Sequence, residues 1–288
     1  MSVSQSLSCN VSGQLGRPSH EVRKIKLVRT PSGVLFYERS TVPDNTVQDN
    51  KVRYDRVILK LSGGALAGPD GFGFAEERLG HLVSEILSLA ELGLEVGVVI
   101  GGGNILRGNT ADLWGIERTE ADNIGMLGTV INGLMLRGAL KSRTDREVRV
   151  MTSLPIASVA EPYIRLRAQA HLQKGYLVVF AGGNGQPFVT TDYPSVQRAL
   201  ELSCDALLVA KNGADGVYDR DPNRFADATL YKRLSFDEVI QKDLKVMDTA
   251  AFILARDHGL PLHVFDIDRV GAAAAICQGS DEGTFVHT

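Results

Sequence analysis

Aliphatic runs alternate with amphipathic stretches along most of the chain. Runs that end in glycine or a polar residue predict strands buried on both faces, and apolar residues spaced three and four apart predict helices. The predicted strands are residues 57–66, 96–100, 148–152, 177–181, 206–210, 260–265 and 283–287, and the predicted helices are residues 79–90, 120–141, 161–174, 235–241 and 248–258. Strand–helix–strand units have parallel strands, so the pattern predicts an α/β fold with a mainly parallel central sheet.

The first fifty residues lack this pattern. Residues 1–50 are rich in Ser, Val, Asn and Thr, and we expect a flexible N-terminal extension there. Within it, LVRT, PSG and VLFYE in residues 24–37 predict a hairpin, while the start, poor in acidic residues, also resembles an organelle transit peptide. No linker or repeat follows residue 55, which predicts a single catalytic-type domain over residues 51–288.

Composition narrows the class of protein. The chain has 288 residues, 44% of them hydrophobic, and a net charge of -3 with both signs interspersed, which suits one large α/β domain and argues against a nucleic-acid surface. Cys9, Cys204 and Cys277 are too scattered for a disulfide framework or a zinc site, and they favour a reducing, cytoplasmic compartment. No apolar run approaches the roughly 20 residues that span a bilayer, so we expect no membrane partner.

Three glycine-rich segments follow predicted strands. They are residues 101–103, 182–185 and 213–216. The carboxyl ends of parallel strands form the crevice where doubly wound sheets bind ligands, and glycine lets backbone N–H groups approach an anion. Arg107 follows the first segment and is within reach of a phosphate there, although a tight turn with a surface arginine explains the same pattern.

Lys60 interrupts the first aliphatic strand. A lysine in such a strand is costly unless it lies at a sheet edge or its ammonium meets a partner. The functional interpretation is a lysine that neutralises a transferring phosphoryl group. Other polar residues also keep two interpretations each: Asp122 as ligand or helix-dipole group, Asp192 as helix N-cap or charge-orienting group, Tyr218 as base-stacking or turn residue, and Asp221 as ribose or turn residue.

Several phosphate and nucleotide chemistries lack their motifs in this chain. The P-loop pattern and the protein-kinase motifs HRD and DFG do not occur. GGGNILRG also lacks the dinucleotide spacing G-x-G-x-x-G, because Leu106 stands at the place of the third glycine. A hydride-transfer enzyme is therefore disfavoured.

Six segments together carry a family resemblance. They are KLSGGAL, VGVVIGGGN followed by Arg107, ADNIGMLGTVINGL with Asp122, GGNGQPFVTTD, DGVYDRDP and LKVMDTAAFILARDHGLPLHVF. In type, order and spacing they resemble the bacterial uridylate kinase branch of the amino acid kinase family, over residues 52–288. The KVMD and TTD segments separate the chain from acetylglutamate, aspartate and carbamate kinases.

The resemblance implies a three-layer α/β/α sandwich with the acceptor nucleotide in its N-terminal part and ATP in its C-terminal part. It implies transfer of the γ-phosphoryl group of ATP to UMP, giving UDP and ADP in pyrimidine nucleotide biosynthesis, with Mg²⁺ accompanying ATP. It also implies a homohexamer activated by GTP and inhibited by UTP, and residues 68–74 resemble the region tied to the GTP response.

The resemblance assigns individual residues as well. The implied catalytic residues are Lys60, Arg107, Asp192 and Asp248. The two aspartates are implied to organise the lysine and Mg²⁺, and the ligands of Mg²⁺ are not assigned. ATP is implied to contact Lys60, Leu61, Ser62, Gly63, Gly103, Arg107, Asn212, Tyr218 and Asp221. UMP is implied to contact Gly102, Asp122, Asn184, Gly185, Gln186, Pro187, Phe188, Val189, Thr190 and Thr191.

The chain departs from the family pattern at three places. Gly64 stands where the family commonly has the glutamate of SGEAL, NGQP replaces part of GTGNPF, and AKNGADG replaces KATKVDG. The contacts of Asn184, Gln186 and Asn212, and the preference for UMP over CMP, stay open. The alternatives are a kinase with a carboxylate or carbamate acceptor and a non-catalytic nucleotide sensor.

Overall fold

The computed structural model describes residues 25–29, 35–39, 52–107, 113–222, 224–225, 227–244 and 246–288. Contacts divide the chain into two units, Met1–Asp49 and Asn50–Thr288. In the first unit, β1 (Ile25–Arg29) and β2 (Leu35–Arg39) pair antiparallel, as the predicted hairpin requires. The turn of that hairpin and the rest of the predicted extension lie outside the described residues.

A nine-stranded sheet forms the centre of the second unit. Its strands are β3 (Arg56–Leu61), β4 (Glu95–Ile100), β5 (Val148–Thr152), β6 (Glu161–Pro162), β7 (Leu177–Ala181), β8 (Ala206–Lys211), β11 (Arg233–Ser235), β12 (Leu262–Asp266) and β13 (Thr284–His287). Across the sheet they lie in the order β11, β13, β12, β8, β3, β4, β7, β5, β6. All neighbours run parallel except β12 and β13, and β9 (Val217–Tyr218) pairs with β10 (Leu230–Tyr231) in a separate antiparallel ribbon.

Helices cover both faces of this sheet. They are α1 (Glu76–Glu91), α2 (Arg118–Lys141), α3 (Arg165–Gln173), α4 (Asp192–Glu201), α5 (Phe236–Gln241), α6 (Thr249–Asp257) and α7 (Ala272–Cys277), with a 3₁₀ turn at Gly63–Leu66. Successive residues of a strand point to opposite faces, so Leu59 packs in a core with α1, α2 and α7 while Ile58 packs in a second core with α3 to α6. The predicted three-layer α/β/α sandwich with a mainly parallel sheet is confirmed.

Three predictions about individual elements are wrong. The strand expected over residues 57–66 ends at Leu61, because Ser62 caps a 3₁₀ turn at Gly63–Leu66. The helix expected over residues 161–174 begins only at Arg165, because Glu161–Pro162 pairs with β5 as the edge strand of the sheet, where a proline is tolerated. The possibility that Lys60 lies on an edge strand is also wrong, because β3 lies between β4 and β8. In the described part of the chain, no helix has the length and apolarity needed to cross a membrane.

Candidate active site

Lys60 lies near the carboxyl end of the central strand β3 and meets a carboxylate there. Its ammonium nitrogen is 2.6 Å from Asp192 Oδ1, and the two side chains are only 9% and 15% exposed. Thr191 stands at the N-cap position of α4 and Asp192 is the first residue of the helix, so the N-cap interpretation of Asp192 is wrong. The charge-orienting interpretation agrees with the ion pair to Lys60. A buried ammonium is stable here because it has a partner.

A second aspartate is tied to this ion pair. Asp192 Oδ2 accepts the backbone N–H of Asp248 at 3.1 Å, and the hydroxyl of Thr190 donates to Asp248 Oδ2. The network thereby joins the start of α4, the residue before α6 and the loop that follows β7. The predicted catalytic residues Lys60, Asp192 and Asp248 are brought together.

Sequence reasoning missed Lys211, the last residue of the neighbouring strand β8. Its ammonium donates to the carbonyl of Val246. Burial, followed by the nearby Lys60 charge, lowers the pKa of Lys211, and the carboxylates of Asp192 and Asp248 partly oppose this shift. The signal that would have found it is the one that singled out Lys60, a lysine at the carboxyl end of a buried aliphatic strand.

Close packing explains the glycines at positions 63 and 102, in the two loops beside Lys60. A Cβ at Gly63 would lie 2.5 Å from the Gly103 nitrogen, and a Cβ at Gly102 would lie 2.2 Å from the carbonyl oxygen of Gly125. The nearest atom to a Cβ at Gly64, by contrast, would be 3.6 Å away. The backbone of the first two glycines therefore approaches its neighbours more closely than any side chain permits.

Two adjacent cavities open at this edge of the sheet. The first, of about 220 Å³, is lined by Lys60, Leu61, Ser62, Gly63, Gly101, Gly102, Gly103, Thr190, Thr191, Asp192 and Asp248. The second, of about 610 Å³, shares Ser62 with the first and is lined also by Arg107 and Asn212. Tyr218 and Asp221, predicted to contact ATP, line neither cavity. Arg107 folds back so that its Nε donates to the Gly103 carbonyl at 3.3 Å.

The loop of residues 184–191 is held by Asp122. Its carboxylate accepts the backbone N–H of Phe188 at 2.8 Å and pairs with Arg118 at 2.9 Å. Phe188 has a φ of 65° and is 68% exposed, and Arg118 lies 5.8 Å from the centre of its ring. Asp122 therefore does more than compensate a helix dipole. Of the residues predicted to contact UMP, only Gly102, Thr190 and Thr191 line the smaller cavity.

The carboxylates suit a magnesium ion that arrives with a nucleotide. Mg²⁺ is usually held by one or two carboxylates together with substrate phosphates. Both oxygens of Asp192 are engaged, whereas Asp248 Oδ1 is engaged by none of the residues that the structure describes. Among those residues no group of three or more His, Cys, Asp or Glu side chains could hold a metal ion alone. The donor set therefore fits a metal whose remaining ligands come from the substrate.

Fold and site together define a kinase of the α/β class, in which a lysine and glycine loops converge at one sheet edge. A model of the amino acid kinase family matches residues 55–266, and the chain belongs to this family. The uridylate kinase of Frankia alni is 58% identical over 236 residues, which is 82% of this chain and 92% of the relative. The uridylate kinase of Ruegeria pomeroyi is 46% identical over 246 residues, which is 85% of this chain and 97% of the relative.

Solved structures agree with these relatives. The crystal structure of UMP kinase from Bacillus anthracis has a TM-score of 0.80 and 58% sequence identity, covering 81% of this chain and 96% of that chain. UMP kinase from Ureaplasma parvum has a TM-score of 0.77 and 31% identity, covering 82% of this chain and all of that chain.

Proposed function

We propose that this chain is an ATP-dependent UMP kinase, which transfers the γ-phosphoryl group of ATP to UMP and releases UDP and ADP. One observation carries the proposal: the buried Lys60–Asp192 ion pair lines a glycine-rich cavity at the carboxyl edge of the sheet. The 58% identity to a uridylate kinase directs the choice of acceptor.

The reaction requires alignment and positive charge more than it requires a base. The phosphate of UMP is already an anionic nucleophile, so no group of the protein has to remove a proton from it. The ammonium of Lys60, held by Asp192, and the backbone N–H groups of the loops containing Gly63 and Gly103 stabilise the charge of the transferring group. Because these donors are fixed before the substrate binds, little reorganisation is needed at the transition state.

Arg107 and the second cavity extend the site toward ATP. The Arg107 guanidinium lies beside Gly64 and Gly71 and lines the larger cavity, which supports a role in binding the phosphates of ATP. Lys211 adds a second, partly buried amine near Lys60. In this arrangement Asp248 would hold Mg²⁺, which would neutralise phosphate charge, and Asp192 orients Lys60.

We extend the proposal to domain use and regulation. The N-terminal part of residues 51–288 binds UMP and the C-terminal part binds ATP, by resemblance to bacterial uridylate kinases. The same resemblance supports a homohexamer with GTP as activator and UTP as inhibitor, in a reducing cytoplasm. Size-exclusion chromatography with light scattering, and initial rates with added GTP or UTP, test these assignments.

ADP release tests the activity itself. The purified full-length chain is assayed with ATP, Mg²⁺ and either UMP, CMP, glutamate derivatives, carbamate or no acceptor. We expect a rate that requires UMP. Saturation by a small acid instead would favour another amino acid kinase, and a rise in melting temperature with UMP but no turnover would favour a nucleotide sensor.

A further inference from the structure

Two fully buried asparagines form a reciprocal pair beneath the site. Asn104 follows the glycine loop after β4, Asn132 lies in α2, and both are 0% exposed. Asn132 Nδ2 donates to Asn104 Oδ1 at 2.7 Å, and Asn104 Nδ2 donates back to Asn132 Oδ1 at 3.1 Å. Each side chain thus satisfies one donor and the acceptor of the other.

The remaining amide hydrogens bind backbone carbonyls of two loops. Asn132 Nδ2 donates to the Gly101 carbonyl at 2.7 Å, and Asn104 Nδ2 donates to the Gly73 carbonyl at 2.9 Å. The backbone N–H of Gly73 returns a hydrogen bond to the Asn104 carbonyl at 2.9 Å. The pair therefore ties α2, the loop of residues 101–104 and the loop of residues 68–74 into one network.

This network lies directly under the backbone that lines the cavity. Asn104 Oδ1 would be 2.7 Å from a Cβ at Gly63, and Gly101 and Gly103 are cavity-lining residues. Buried polar groups are costly unless every partner is present, so a fully satisfied network specifies one arrangement of its loops. A satisfied amide pair at this position thus determines where the loop N–H groups point.

We propose that Asn104 and Asn132 are positioning residues for phosphoryl transfer, because their amide pair holds the glycine loop of residues 101–103 in its catalytic conformation. The inference rests on the proposed function. Neither side chain lines either of the two cavities at this edge, so both act through the backbone. Donors that must be aligned in the transition state affect kcat more than they affect substrate binding.

Substitutions of the two asparagines and of a core leucine separate positioning from stability. In Asn132→Ala and Asn104→Ala, we expect kcat with ATP and UMP to fall by about 10- to 100-fold, while the Kd of each nucleotide changes by less than about threefold. Leu136→Ala is the control, since Leu136 is fully buried one turn further along the same helix, in the apolar core. That variant loses stability but keeps its kcat at temperatures where it is folded.

Amide hydrogen exchange supplies a readout that does not depend on turnover. Peptides spanning residues 68–75 and 101–106 should exchange faster in both asparagine variants, and at the wild-type rate in Leu136→Ala. If Asn132→Ala does not fold, Asn104→Ser removes the two hydrogen bonds between the asparagines and the one to the Gly73 carbonyl, with a smaller loss of polarity. An unchanged kcat in the asparagine variants, or an equal loss in Leu136→Ala, would overturn this inference alone. An absence of wild-type turnover with every acceptor would overturn the proposed function, and this inference with it.

Discussion

We call the Lys60–Asp192 ion pair the phosphate centre and residues 184–191 the acceptor loop, after the roles proposed above. The two are built differently. At the centre, Lys60 and Asp192 are almost enclosed, and their contacts come from strand ends and a helix start. In the loop of residues 184–191, Phe188 is 68% exposed and its backbone is held by a single carboxylate, that of Asp122. Under the proposed function, this difference predicts that the charge needed in every turnover is preorganised by the fold, whereas the acceptor is recognised by side chains that gain contacts when it binds.

The strongest test of this contrast removes the central charge. In Lys60→Met, we expect kcat to fall by about 10³-fold with little change in nucleotide Kd, because the ammonium acts mainly on charge that develops in the transition state. ADP release measures kcat and calorimetry measures Kd. Lys141→Met is the control, because Lys141 pairs with Glu147 on the surface. A Lys60→Met enzyme with an unimpaired rate would remove Lys60 from the mechanism.

Substitutions at two neighbouring glycines test how tightly the backbone around Lys60 is packed. Gly63→Ala places a methyl group 2.5 Å from the Gly103 nitrogen, so we expect the free energy of unfolding to fall by about 2 kcal/mol and kcat to fall at least about tenfold. Gly64→Ala meets no atom closer than 3.6 Å and should change kcat by less than about twofold. Urea unfolding and initial rates compare the two variants, and equal effects would contradict the packing argument.

A smaller effect is expected where the acceptor loop is held. In Asp122→Ala, the backbone N–H of Phe188 loses its acceptor, so we expect KM for UMP to rise about tenfold while KM for ATP stays unchanged. Glu120→Ala removes an exposed acidic residue in the first turn of the same helix and controls for the helix dipole. Equal changes in both variants would mean that Asp122 acts only through the dipole.

The smallest effect on catalysis is expected from His263, which lies on β12, two strands away from β3, and lines neither of the two cavities. Its imidazole is hydrogen-bonded to the Tyr54 hydroxyl at 2.6 Å. Burial, followed by the charges of Arg53 and Arg233, lowers the pKa of His263 from 6.5 to about 4. Between these values the unfolded chain binds more protons than the folded one. The stability contributed by neutral His263 is therefore complete above pH 6.5 and is lost as the pH falls toward 4, by about 3 kcal/mol.

Urea unfolding at several pH values checks this loss against His263→Gln, which cannot titrate. The other groups contribute equally to both proteins, so the difference between the two curves isolates His263. We expect the wild type to lose more stability than the variant below pH 6.5, while both keep the same kcat at pH 7.5. Parallel curves would mean that folding does not lower the pKa of His263.

Local pattern accounts for most elements of the fold but not for the short ones. The strands of the parallel sheet and the stop of α1 at Gly93, whose φ is 84°, follow from aliphatic runs and glycine positions. The two-residue strand β6 was mistaken for the start of a helix, because two residues show no periodicity and only pairing with β5 makes them a strand. The short β9, β10 and β11 were missed for the same reason.

The sequence by itself determined the fold class, the glycine loops and the identity of Lys60 as a charge in need of a partner. Only the tertiary structure decided that β3 is central, that Asp192 is the partner of Lys60, that Lys211 approaches the same site and that Asn104 meets Asn132. The physical reason is the distance along the chain over which each feature acts. Periodicity and glycine positions reflect neighbours within a few residues, whereas strand order and the pairing of buried polar groups arise from packing between segments distant in the chain.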